Sequence, residues 1–430
     1  MKKILLLQNE KFLDSQIKKP VDYSKIIDEW NLQNGGNSGN KLFTTAIEKY
    51  LYKPDIHVTH YVNSMDIDYI NSSFNMVIFP TANIFGKHYI AGLKEYAAFF
   101  NKLQIPVYVI GAGIQCKNYL DLSRLKKDIG KESAVFVDAV YHTGGELALR
   151  GEYTKQFLDA LLSNTSVVTG CPSLYQNGRN LNISNEKVDF DKFRVAMNGS
   201  MISINSCDLN KIIDDITYMD QDEFCELLYD VKILNRMSDI RLLWRYSKYG
   251  LQLLSKNKVN LIYDIPVWID YMKTNFDFSI GTRIHGNIAA LLAGVPAMVI
   301  AKELRTMELA EFFEIPLVND IHISNIRDVY NIYEKLDFSM FNKNFANKFD
   351  NFENFLISHN ITDFIDDNSK WNEDSSLYKW KLPTYCTENR EYVKNVLKRY
   401  PDIFLNIFSG KLYSKMKQYK TFSIDFTALK

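Results

Sequence analysis

Short apolar runs, separated by segments of helical spacing, recur along most of this 430-residue chain. That rhythm constrains the fold more than any other feature. Residues 3–7 (KILLL), 56–62 (IHVTHYV), 75–79 (NMVIF) and 106–110 (PVYVI) each read as a strand. Between the last two, residues 88–103 carry Tyr89, Leu93, Tyr96, Ala97 and Phe100 on one helical face. Strands that alternate with helices pair in parallel, because each helix returns the chain to the same edge of the sheet. The pattern continues through a strand at 146–150 (ELALR), a helix over 152–162 and a strand at 165–169 (TSVVT). Residues 176–192 are aperiodic and rich in Asn, Gly, Asp and Lys, which predicts a linker.

A second α/β rhythm follows. A strand is expected at 201–205 (MISIN), a largely helical stretch over 209–256, and strands at 260–263 (NLIY) and 277–280 (DFSI). The helix over 285–293 should stop at Gly294 ahead of Pro296 and lead into a strand at 297–301 (AMVIA). The expected units are 1–185, 195–335 and a helical extension over 336–430 that packs back on the core.

Composition narrows the function classes. Lys plus Arg and Asp plus Glu both number 51, so the net charge is zero and the basic excess of a dedicated nucleic-acid binder is missing. No nucleic-acid partner is expected. The five cysteines form no C-x-x-C pair, which fits a reduced, cytoplasmic compartment. The first apolar run is too short for a signal peptide and no uncharged 18-residue apolar stretch occurs, so membrane contact would be peripheral. The basic and aromatic stretch 411–420 (KLYSKMKQYK) reads as a solvated terminal helix, with an anionic membrane face as the other option. The seven histidines show no metal-ligand spacing, and neither a metal nor a cofactor is expected.

Segment 278–296 (FSIGTRIHGNIAALLAGVP) carries the strongest chemical signal. It places Arg283 and His285 where a strand turns into a helix. Free N–H groups and the positive dipole end attract anions there. Arg283 adds a fork of donors suited to phosphate or carboxylate, His285 a proton or hydrogen bond, and Gly286 room for a ligand near the backbone. A structural His beside a surface Arg is the plainer reading.

Weaker segments surround this one. The loop 34–40 (NGGNSGN), ahead of a helix near Lys41, could cradle a phosphate or sugar through Asn37, Gly39 and Asn40, or simply be a loop. Gly111 and Gly113 lie at a strand end, where close strand–helix packing explains them equally well. Arg150 ends another strand, as a substrate contact or a structural cap. Arg305 would share the sheet edge of Arg283, with Glu308 as a carboxylate partner or a solvated charge. Glu152, Asp138 and Glu308, all in expected loops, are the candidates for a hydroxyl-activating base.

The stretch 281–286 (GTRIHG), with its apolar helix and following strand, resembles the C-terminal signature of the polysaccharide pyruvyl transferase family. Segment 304–316 (LRTMELAEFFEIP), Arg150–Thr154 with 169–175 (TGCPSLY), and the Asn37–Asn40 loop resemble it too. Members usually carry Asp where this chain has Cys171.

The resemblance implies a GT-B-like glycosyltransferase architecture, with two Rossmann-like domains facing across a cleft. It implies phosphoenolpyruvate as co-substrate and a sugar diol of a surface polysaccharide precursor, free or lipid-linked, as acceptor. The product would be a pyruvate ketal. Arg283 would clamp the donor, with Arg150 and Arg305 as helpers, and His285 would stabilise phosphate or act as general acid. A glycosyltransferase using a nucleotide sugar is the alternative, and a non-catalytic glycan-binding protein on the same scaffold is the third reading.

Overall fold

The computed structural model describes residues 1–7, 37–51, 53–61, 65–116, 120–162, 166–200, 208–229, 235, 239–262, 264–362 and 387–399. The strand expected at 201–205, the first part of the 34–40 loop and the stretch 411–420 lie outside the described residues.

Two six-stranded parallel sheets organise the chain. The first contains β1 (Lys2–Leu6), β2 (Ile56–His60), β3 (Met76–Pro80), β5 (Val107–Ala112), β7 (Glu146–Leu149) and β8 (Val167–Val168), in the order β2-β1-β3-β5-β7-β8. A short parallel ladder joins β4 (Phe85–Gly86) to β6 (Ile114–Gln115). The second sheet contains β9 (Val195–Asn198), β10 (Ile216–Met219), β11 (Val259–Asn260), β12 (Phe278–Gly281), β13 (Ala297–Ile300) and β14 (Leu317–Val318). Its order is β11-β10-β9-β12-β13-β14. The chain therefore reverses its direction of travel between β9 and β12. Open α/β sheets bind ligands at the carboxyl ends of strands beside such a switch point. Both sheets are Rossmann-like, and with the helical C-terminal part they form the expected GT-B-like α/β architecture.

Side-chain alternation along the strands explains the layers. Ile4 and Leu6 join a core shared by the two halves, while Leu5 and Leu7 face the outer layer of the first sheet. In the second sheet Ala196 and Val299 face the shared core, whereas Val195, Met197, Phe278 and Ile280 face an outer core. The shared core takes in α1 (Ser38–Leu51) and much later helices. Outside the first sheet lie α2 (Ile90–Phe100), α3 (Lys131–His142) and α4 (Glu152–Asp159). Outside the second lies α5 (Asp239–Ser255).

The remaining helices complete the shared layer and carry the chain home. Asp264 caps α6 (Ile265–Asn275) by accepting the Val267 N–H, and Pro266 fits its first turn. α7 (Ile284–Leu292) is buried along its whole length and ends before Gly294, which has φ +77°. α8 (Leu304–Phe313) follows β13. α9 (Ser339–Ser358) turns Phe341, Phe345, Phe349, Phe352 and Phe355 into the shared core. There Phe352 stacks on Tyr175 at 5.0 Å. α10 (Thr387–Arg399) packs Val393 and Val396 into the outer core of the second sheet.

Several strands differ from the expectation, the two-residue β4, β6 and β14 among them. β9 lies just before the region where a strand was expected, and β10 interrupts the stretch read as helical. Asp214 and Asp215 precede β10 and Asp220, Asp222 and Glu223 follow it, so a four-residue strand interrupted by Thr217 is framed by charges that mimic a solvated helix. Burial inside a parallel sheet, with Ile216 and Tyr218 nearly inaccessible, overrides that local appearance.

Candidate functional site

The site forms where carboxyl ends of strands from both sheets meet. α1 and α7 point their N-termini into it, and the two helices approach closely. A Cβ built on Gly39 would fall 2.9 Å from the His285 Cβ and 2.7 Å from the Gln221 Oε1. Only glycine permits that packing. Asn37 caps α1, its Oδ1 accepting the Gly39 N–H at 2.8 Å. The Asn37 Nδ2 donates across to the Asp222 Oδ2 at 2.9 Å. Asn40 forms part of the same first turn, its N–H bonded to the Asn37 carbonyl.

Arg283 occupies the N-cap position of α7. It donates to the Asp222 Oδ1 at 2.5 Å and has Glu223 at 3.9 Å. Its Nε is buried without a hydrogen-bond partner, as is the Nε2 of the buried Gln221. Ser38 Oγ, at the N-terminus of α1, is orphaned in the same way. Three unsatisfied polar atoms grouped at one junction are uncommon, because buried polar groups are normally paired.

His285 lies one residue into α7 and is 9% exposed. Its ring stands 5.8 Å from that of Phe43, and its Nε2 is 3.7 Å from the Cys171 Sγ. Burial, followed by the charges of Arg150, Arg305 and Arg283, holds its pKa well below the usual histidine range. The imidazole is neutral at pH 7.

Arg150 is 2% exposed. Its Nε donates to the Gly111 carbonyl at 2.9 Å, and its terminal nitrogens face the Asn83 Oδ1 at 3.3 Å and the Cys171 Sγ at 3.7 Å. The guanidinium lies 5.6 Å from the centre of the Phe43 ring. Gly113, whose Cβ would fall 3.0 Å from the Arg150 Cδ, makes room for this side chain, while Gly111, at φ +83°, is packed against the Thr81 carbonyl and Pro172. Gly111 holds Arg150 through its carbonyl, and Gly113 leaves the room that the Arg150 side chain fills. Gly286 is also closely packed. The space beside it is filled by Asn198 and Gln221, with a built Cβ 2.7 Å from each.

Arg305 lies in the first turn of α8, where its Nε donates to Glu303. It reaches the site through its field on His285. Glu308, on the same helix, is neither in a loop nor solvated. It is 2% exposed and accepts from the Thr154 N–H at 2.5 Å and the Thr154 Oγ at 2.9 Å. A carboxylate of the second half thus caps α4 of the first. Burial raises its pKa to about 7 against the opposing effect of those donors. Glu152 and Asp138 are exposed residues of α4 and α3, not loop residues.

The reading from sequence missed Asp222, Gln221 and Asn198. Their only signal was position at or just past the ends of β9 and β10, two strands that were not recognised. Among the described residues no three His, Cys, Asp or Glu side chains converge as a metal site, and no helix is long and apolar enough to cross a membrane.

Two Rossmann-like sheets with an arginine- and histidine-bearing helix N-terminus between them place this chain in the GT-B-like class of α/β folds. The polysaccharide pyruvyl transferase family model matches residues 37–302, and the chain belongs to this family of enzymes. None of the curated proteins matches it significantly. Among solved structures, S. aureus MnaA bound to UDP is similar at 12% identity, with 84% of this chain and 98% of that chain covered and a TM-score of 0.41. The glycosyltransferase SnogD from Streptomyces nogalater is 11% identical, covering 84% and 99% respectively, with a TM-score of 0.32. An uncharacterised protein from Klebsiella pneumoniae is 15% identical, covering 64% and 84%, with a TM-score of 0.36.

Proposed function

We propose that this enzyme transfers the pyruvyl group of phosphoenolpyruvate to two hydroxyls of a polysaccharide precursor, forming a cyclic pyruvate ketal. The observation that carries this reading is the convergence of Arg150, Arg283 and Arg305 on a neutral His285 beside two helix N-termini. A small donor bearing both carboxylate and phosphate needs such a cluster of cations and N–H groups.

The chemistry follows from the donor. A proton adds to the methylene carbon, and the adjacent carbon becomes cationic. One sugar hydroxyl adds to that carbon and loses its proton. Phosphate leaves with its bonding electron pair, and the second hydroxyl closes the ketal and loses its own proton. Arg283 is assigned the donor phosphate or carboxylate, for which it must leave Asp222. Arg150, locked in place, and Arg305 supply fixed positive charge. The bound anion offsets the arginine field, so the pKa of His285 rises and the ring can carry the proton.

The test is a thermal-shift comparison of phosphoenolpyruvate with a panel of nucleotide sugars, repeated on Arg283→Ala. A ligand that binds only the folded state raises its stability. Stabilisation by phosphoenolpyruvate, lost in the variant, supports the proposal. Stabilisation by a nucleotide sugar instead overturns it in favour of glycosyl transfer.

A further inference from the structure

Cys171 is enclosed by the chemistry of the site although it lies outside every helix and strand of the two sheets. It follows Gly170, immediately before a short turn that starts at Pro172, and it is fully buried. Three side chains meet its sulfur. The Ser173 hydroxyl donates to it at 3.1 Å, an Arg150 terminal nitrogen donates at 3.7 Å, and the His285 Nε2 faces it at 3.7 Å.

The donor count then decides where the protons lie. The serine hydroxyl and the guanidinium are both used as donors, so the sulfur lone pairs are taken. A thiol has one hydrogen left to give. The ring nitrogen facing it completes the set only as an acceptor. We propose that Cys171 is a positioning residue that fixes the tautomer of His285, its S–H donating to Nε2 and leaving the ring proton on Nδ1. Among the described residues Nδ1 has no protein partner. The Nδ1–H is therefore the donor the ring presents to a bound ligand.

Surrounding charge is consistent with a neutral ring. The groups facing His285 are Arg150 from the end of β7, Arg283 and Arg305 from the starts of α7 and α8, and the uncharged Phe43 from α1. None is a carboxylate that would stabilise an imidazolium. The functional part of this inference, that the Nδ1–H meets an anionic donor, rests on the pyruvyl transfer reading; the tautomer does not.

The test is a long-range proton–nitrogen NMR spectrum of the protein labelled with 15N-histidine, which separates protonated from unprotonated ring nitrogens. The His285→Gln spectrum identifies the signals. The expected result is a neutral His285 ring with the proton on Nδ1, retained in Cys171→Ser and lost to Nε2 in Cys171→Ala. A wild-type ring protonated on Nε2 or on both nitrogens overturns the assignment, as does an unchanged tautomer in Cys171→Ala. With active enzyme, Cys171→Ala should lower kcat at least about tenfold while the donor KM holds, and Cys171→Ser should restore most of it. Equal kcat in Cys171→Ala and wild type overturns the positioning role. The spectrum is read without substrate, so it stands even if pyruvyl transfer itself is refuted.

Discussion

Arg283 donates to Asp222 at 2.5 Å, and its remaining inner nitrogen is buried without a partner. The arginine best placed for an anionic donor is thus held by a carboxylate, and that carboxylate also takes a hydrogen bond from Asn37. Ligand and Asp222 compete for one guanidinium. Asp222→Ala should tighten phosphoenolpyruvate binding several-fold, as measured by titration calorimetry. The same change should cost about 1–3 kcal/mol of stability, because two bonds to a charged group are lost. An unchanged dissociation constant would show that the pair does not open on binding.

Arg283→Lys should weaken donor binding by roughly tenfold, since a point charge cannot reproduce the fork. Equal affinity in the two proteins would make Arg283 a structural residue. Calorimetry on the purified variant decides the matter.

His285→Ala should reduce turnover by about 10²–10⁴-fold, the usual contribution of a positioned proton donor. The melting transition should stay cooperative. Near-normal turnover in a folded variant would remove His285 from the reaction.

Donor binding should be accompanied by proton uptake. The free His285 is kept neutral by burial and by Arg150, Arg305 and Arg283, and a bound anion relieves the arginine part of that effect. Because the pKa rises on binding, affinity should fall as pH increases through the range where the bound ring titrates. Calorimetry in buffers of different ionisation enthalpy measures the uptake, and His285→Gln should abolish the part that belongs to this ring. Identical uptake in wild type and His285→Gln would refute it.

Glu308 ties stability to pH. Its folded pKa is raised to about 7 from an ordinary value near 4.5. The folded chain therefore holds this proton more tightly than the unfolded one. The stabilisation is complete below pH 4.5 and is lost as pH rises through about 7, on the order of 3 kcal/mol in all. Glu308→Gln keeps an acceptor for Thr154 and removes the titration. Its melting temperature should fall less than that of wild type between pH 5 and pH 8; parallel curves would count against the assignment.

The arginine and histidine at the start of α7 were legible because strand, turn and helix follow one another within a few residues. The apolar pattern of β12 and α7 is strictly local, and Gly294 and Pro296 punctuate its end. Asp222 was not legible. It follows β10, a four-residue strand whose flanking acids imitate a helix surface. It pairs with Asn37, 185 residues away, and with Arg283, 61 residues away. The bond from Glu308 to Thr154 spans 154 residues. Nothing in local periodicity encodes a contact at that separation. The glycines at 111 and 113 were read correctly as marking a strand end, yet a sequence does not reveal that Arg150 fills the space beside Gly113.

Tyr175 donates to the Lys348 carbonyl, 173 residues further along the chain, within the aromatic layer that α9 contributes beneath the first sheet. That layer is therefore supplied by a helix translated after both sheets. While the ribosome is still working through the second half, the first half waits with an apolar face open to water. A product cut short before residue 339 would keep that face open permanently, a ready target for chaperones and proteases. Synthesis of this chain thus carries its own test of completeness. Only a message read through α9 yields a first half with its inner surface closed.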